Sequence, residues 1–111
     1  MLLQNDYEVI VIDNFRYQQI PLLDSCLDDK LTICRGDVQD SQLLKDYVKK
    51  VDFIITLACL TGAPICAQEP QTAKAVNHDA IKMIADMKSA SQKMIFPSTN
   101  SGYGVGEDNM F

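Results

Sequence analysis

The sequence predicts an α/β fold in three layers, built on an open parallel sheet. Three observations carry that expectation: short apolar runs rich in β-branched residues, helical segments between most of them, and polar or glycine-containing turns directly after the runs. Runs that are continuous rather than alternating belong to strands covered on both faces, as in parallel sheets. Alternation of strand and helix then implies right-handed crossovers between neighbouring strands.

The first run is Tyr7-Glu8-Val9-Ile10-Val11-Ile12-Asp13. The stretch from Phe15 to Lys30 holds either a short helix around Leu22–Leu27 or mostly loop. The second run, Leu31-Thr32-Ile33-Cys34-Arg35-Gly36-Asp37, is followed by Asp40 and Ser41, either of which can cap a helix over Ser41 to Lys50. That helix puts Leu43, Leu44, Tyr47 and Val48 on one face. The third run spans Val51 to Ala58. Pro70, a first-turn proline, opens a helix to about Ser89 with Ala73, Val76, Ala80, Ile84 and Met87 at spacings of three and four. The fourth run, Lys93 to Ser98, leads directly into the glycine-rich tail from Gly102 to Phe111.

Composition narrows the class. A chain of 111 residues has room for one small domain, and 47% hydrophobic against 23% charged residues is the balance of a globular one. A formal charge of −5 offers no footprint for a phosphate backbone, so nucleic acid is not expected as a partner. No apolar run approaches the roughly 18 residues of a membrane span, and the N-terminus has no signal-peptide pattern, so a cytoplasmic chain with no membrane contact is expected. Cys26, Cys34, Cys59 and Cys66 contain no C-x2-C pair and are expected as reduced, partly buried thiols, with no metal site. Met83, Met87 and Met94 are expected in the core. Lys74, Lys82, Asp79 and Asp86 are expected on a solvated helix face, and His78 as a solvated or structural histidine.

In an open α/β sheet, ligands sit at the carboxyl ends of the strands. Those ends read Asp13-Asn14, Gly36-Asp37-Val38, Leu57-Ala58 and Ser98-Thr99-Asn100-Ser101-Gly102-Tyr103-Gly104. An acidic strand end can accept hydrogen bonds from a ribose diol, and its charge repels a 2′-phosphate. Each block alone can also be a plain turn.

Taken in order, and with Pro70 and Asn77 on the following helix, these blocks resemble the extended short-chain dehydrogenase/reductase family in its nucleotide-sugar epimerase and dehydratase branch. The resemblance implies a Rossmann-like fold and NAD as cofactor. It implies that Asp13 binds the adenosine ribose with Asn14 adjacent, and that Asp37 and Val38 flank the adenine. Ala58 would bring its backbone close to the cofactor, and Asn77 would be a structural and cofactor-side polar contact. Thr99 matches the family's catalytic Ser/Thr, whose hydroxyl bonds the sugar oxygen undergoing oxidation; Tyr103 belongs to the Tyr-Gly pair after it and is not the catalytic tyrosine.

The family's glycine-rich G-x-x-G-x-x-G turn and its downstream Tyr-x-x-x-Lys pair are not in these residues. Residues 1–111 therefore read as a partial NAD(P)-binding Rossmann domain without its first strand. By itself this slice is expected to be inactive, with little affinity for NAD. Without a central strand it is expected either to pair Tyr7–Asp13 with Val51–Ala58 or to self-associate.

Within the family, 4,6-dehydratases follow the Thr with Asp and Glu. Asn100 and Ser101 stand there and cannot act as an acid–base pair near neutral pH. The expected activity of the intact protein is thus NAD-dependent 4-epimerisation of a nucleotide sugar through transient oxidation at C4, in a homodimer. Thr61, where some relatives carry lysine, leaves a different substrate or reaction open. The alternatives are a dehydratase or reductase of the same family, or a non-catalytic Rossmann remnant.

Overall fold

A computed structural model describes residues 1–19 and 21–98. All four expected strands form, each shorter than its apolar run: β1 (Val9–Asp13), β2 (Leu31–Arg35), β3 (Phe53–Ile55) and β4 (Lys93–Ile95). β1 pairs parallel with β2, from Val9 opposite Leu31 to Asp13 opposite Arg35. β3 pairs parallel with β4, from Phe53 opposite Lys93 to Ile55 opposite Ile95. The region left open between Phe15 and Lys30 is mostly turn, with a 3-10 turn at Leu23–Ser25.

The helices are α1 (Ser41–Val48), α2 (Ala63–Gln68), α3 (Pro70–Lys74) and α4 (Ala80–Met87). Asp40 caps α1, its side chain accepting from the backbone N–H groups of Gln42 and Leu43. Between α3 and α4 the chain runs on through a π-helical stretch, Ala75–Asp79, so residues 70–87 form one continuous rod with a wide turn at its middle. Lys74 pairs with Asp79 five residues on, a spacing that a π turn brings together. Lys82 pairs with Asp86 four residues on, and both pairs are exposed as expected.

The core lies between these helices and one face of the strands. Leu44 and Val48 of α1 meet Ile84 of α4, with Ile12, Ile54, Met83, Met87 and Met94 packed around them. Ile12 comes from one sheet and Ile54 and Met94 from the other, so one cluster spans both. Gln92 adds a polar tie, donating from its amide to the carbonyls of Val48 and Val51. The expected pairing of the first strand with the third does not occur: β1 and β3 lie in separate two-stranded sheets. The shared helical layer, not a continuous hydrogen-bond ladder, unites the halves. The described helices supply one of the layers expected of the fold. The opposite strand face, with Phe53, Ile55 and Ile95 about half exposed, is open among the described residues.

Candidate functional site

β1 runs parallel to β2 and β3 to β4, so within each pair the carboxyl ends lie together. In open α/β sheets ligands sit beyond such ends. The residues after β1 are shaped by their own side chains. Asp13 Oδ1 accepts from the Phe15 N–H at 2.7 Å, and Asn14 Oδ1 accepts from the Arg16 N–H at 3.0 Å. These successive Asx turns carry Phe15 into the left-handed region at φ 53°.

Asn14 then reaches sideways to the end of β2, its Nδ2 donating to Asp37 Oδ2 at 3.4 Å. Asp37 Oδ1 accepts from the Gln39 backbone N–H at 2.9 Å and from its side-chain amide at 3.1 Å. The Gln39 backbone bond holds the Asp37 carboxyl below the usual carboxylate range; partial burial opposes this, and the Asn14 and Gln39 amides reinforce it. Two carboxylates and an amide thus stand at adjoining strand ends, an acceptor set suited to ribose hydroxyls and an exocyclic amine.

Gly36 lets α1 pack closely against the end of β2. Its N–H donates to the Asp13 carbonyl at 3.0 Å, and a Cβ there would lie 2.2 Å from Leu43 Cδ2 and 3.5 Å from Ile12 Cγ2. A cleft of about 360 Å³ opens beside these residues, lined by Phe15, Gln18, Gln19 and Arg35.

Ala58 lies on the other half, in the exposed segment after β3. Two residues on, buried Leu60 gives both backbone groups to Asn77: its N–H donates to Oδ1, and its carbonyl accepts from Nδ2, each at 2.8 Å. Asn77 sits within the π-helical stretch, so the wide turn carries the residue that fixes the loop after β3. Val38 is half-buried after Asp37. Thr99 and Tyr103 lie outside the described residues.

The structure therefore gathers Asp13, Asn14 and Asp37 at the ends of β1 and β2. Ala58 and Asn77 lie elsewhere, in the segment after β3 and on the helix that fixes it. Sequence reasoning did not find the contact between the halves. Arg16 donates from both terminal nitrogens to the two carboxylate oxygens of Glu69, at the α2–α3 junction. No spacing signal exists for two surface-type residues 53 positions apart. The guanidinium's hydrogen bond and charge hold the Glu69 carboxyl below its usual range, partly opposed by desolvation. All four thiols are free, Cys26 and Cys59 exposed and Cys34 and Cys66 half-buried. The described residues contain no cluster of metal-ligating side chains and no helix long and apolar enough to cross a membrane.

A model of the NAD-dependent epimerase/dehydratase family matches residues 1–110. Among similar solved structures is the UDP-N-acetylglucosamine 4-epimerase of Methanobrevibacter ruminantium, in complex with UDP-N-acetylmuramic acid. It is 28% identical, with a TM-score of 0.78 over 94% of this chain and 34% of its own. The UDP-glucose 4-epimerase of Thermotoga maritima, with UDP-glucose, is 22% identical with a TM-score of 0.74 over 88% and 32%. That of Stenotrophomonas maltophila, with NAD and formylated UDP-arabinopyranose, is 15% identical with a TM-score of 0.78 over 96% and 34%. The chain spans about a third of the length of these structures.

Proposed function

The chain belongs to the NAD-dependent epimerase/dehydratase family, and from that membership we propose that the intact protein is a nucleotide-sugar 4-epimerase. The observation that carries the cofactor half is the joining of the β1 and β2 ends through Asn14 and Asp37 beside Asp13. That acceptor set fits an adenosine: Asp13 for the ribose diol, Asp37 for the exocyclic amine, with Asn14 and Val38 beside them. Ala58 and Asn77 then border or shape the path toward the nicotinamide. When bound, NAD supplies the hydride acceptor and donor; the protein's part is to orient the sugar and handle a proton at its C4 oxygen, the role assigned to Thr99.

Support for a 4-epimerase comes from the named 4-epimerases among the similar structures and from Asn100 and Ser101 at positions where a dehydratase would need an acid and a base. The substrate class is a UDP-sugar. The free thiols support a reducing compartment, and we place the enzyme in the cytoplasm, as a homodimer. The test is turnover by the full-length protein with UDP-glucose, UDP-N-acetylglucosamine and their C4 epimers. Interconversion that disappears in Thr99→Ala is the expected result. Release of a 4-keto-6-deoxy sugar would make it a dehydratase, and NAD binding without turnover of any sugar nucleotide would leave a non-catalytic module.

A further inference from the structure

Two of the four thiols stand at the two ends of one short turn. Cys59 lies in the segment after β3 and is exposed; Cys66 is the fourth residue of α2 and is half-buried. The chain doubles back between them at Gly62, whose φ of 102° suits glycine and whose carbonyl accepts from the Cys66 N–H at 3.2 Å. That return brings the Cys66 side chain to the residue next to Cys59: its Sγ donates to the Leu60 carbonyl at 3.5 Å. Consecutive Cα atoms are about 3.8 Å apart, so the exposed thiol starts about one residue from the half-buried one.

The surroundings hold this arrangement. Leu60 is buried and both its backbone groups are bonded by Asn77, so the peptide beside Cys59 is anchored. Pro64 stiffens the first turn of α2, from which Cys66 reaches back. A reversible thiol site needs one sulfur open to solvent and a second in reach to resolve it. Cys59 and Cys66 divide those two properties between them.

We propose that Cys59 and Cys66 form a reversible thiol–disulfide site that takes a hydroperoxide as oxidant. The Cys59 thiolate attacks a peroxide oxygen, the O–O bond breaks, and with hydrogen peroxide the departing hydroxide gains a proton as water. Cys59 is left as the sulfenic acid. The Cys66 sulfur then attacks the Cys59 sulfur; the S–S bond forms, the S–O bond breaks, and a second water leaves with the Cys66 proton. The two thiols lose two electrons in all, and the peroxide gains them. The bond draws the Cys66 sulfur off the Leu60 carbonyl and ties α2 to the segment after β3, and a thiol reductant restores both groups. Transient, redox-sensing bonds are the kind a reducing compartment permits.

The test treats dilute full-length protein with a graded series of hydrogen peroxide, then alkylates free thiols and maps tryptic peptides without reduction. No Lys or Arg lies between Lys50 and Lys74, so both sulfurs fall on the peptide 51–74, whereas Cys26 and Cys34 fall on peptides of their own. The expected product is that single peptide short of two hydrogen atoms, unalkylated at both cysteines, and restored by dithiothreitol. In Cys66→Ser, whose hydroxyl can still donate to Leu60, the Cys59 sulfenic acid should persist, with its capture by dimedone roughly tenfold above wild type. A link from Cys59 to Cys26, to Cys34 or to a second copy would overturn the assignment. So would equal dimedone capture in wild type and Cys66→Ser, or a peptide 51–74 that stays alkylated at both cysteines through the whole series.

Discussion

The side-chain amide of Asn77 closes a two-bond ring with the peptide of Leu60, its oxygen taking the Leu60 N–H and its nitrogen serving the Leu60 carbonyl, both at 2.8 Å. Only asparagine and the longer glutamine carry the N–H donor and the carbonyl acceptor side by side on one planar amide. Asn77→Asp would keep the acceptor and turn an oxygen toward the Leu60 carbonyl. Loss of that donor beside buried Leu60 is expected to cost about 1–3 kcal/mol, read as a lower urea midpoint at unchanged m-value. Asn77→Leu should cost at least as much; wild-type stability in that variant would show the ring to be incidental.

A methyl group at Gly36 has nowhere to go while Leu43 keeps its place, since Leu43 Cδ2 would be 2.2 Å away. Leu43 is only half-buried and its tip can turn aside. Gly36→Ala should therefore destabilise by about 1–3 kcal/mol, the usual range for overpacking. Adding Leu43→Ala should recover part of the loss, so that the double variant departs from the sum of the single ones. Strict additivity would place the effect of Gly36→Ala in the backbone instead.

Asp37 accepts from Asn14 and from Gln39, bonds that favour its carboxylate form. Its folded value is depressed below the ordinary 3.8, so the unfolded chain takes up the proton first on acidification. The stability it contributes is fully present above 3.8 and is lost as pH falls through the lower folded value. Asp37→Asn should flatten the acid side of a Tm-versus-pH curve in that window and leave the neutral slope alone. An unchanged acid limb in the variant would mean that the Gln39 and Asn14 bonds do not favour the charged form.

The open strand face predicts association. Phe53, Ile55 and Ile95 lie on one face of the β3–β4 pair and are about half exposed, and Lys93 stands over the Phe53 ring. The chain should show a concentration-dependent sedimentation coefficient, and Ile55→Lys should reduce it without loss of helical circular dichroism. Concentration-independent sedimentation of the wild type would show that this face does not drive contact.

Much of this architecture was legible because it is written in local signals. The β-branched run ending in Asp13 gives β1, Asp40 before Ser41 gives the start of α1, and the four-residue spacing through Val76, Ala80 and Ile84 gives the buried stripe of the long helix. Helix α2 was not legible: it has six residues, carries Pro64 in its first turn, and is too short to show a period. The π turn was hidden for a related reason, because a local widening leaves the spacing of apolar residues on either side intact. At the site, Asp13, Asn14 and Asp37 could be singled out by family pattern, but their hydrogen bonds depend on how β1 and β2 are brought side by side. Arg16 and Glu69 meet only through the tertiary fold, so nothing in their neighbourhoods announces them.

The wide turn at residues 75–79 has a genetic consequence. Each residue of a helix advances its direction by about 100°. In-frame loss of one codon in this stretch would leave a sound helix, but everything upstream of the deletion would be rotated against everything downstream by roughly that angle. Asn77 could no longer face Leu60 while Ile84 still faced Leu44 and Val48. A lineage carrying that deletion would keep its helix and lose its loop, a failure that substitutions at single positions cannot reverse.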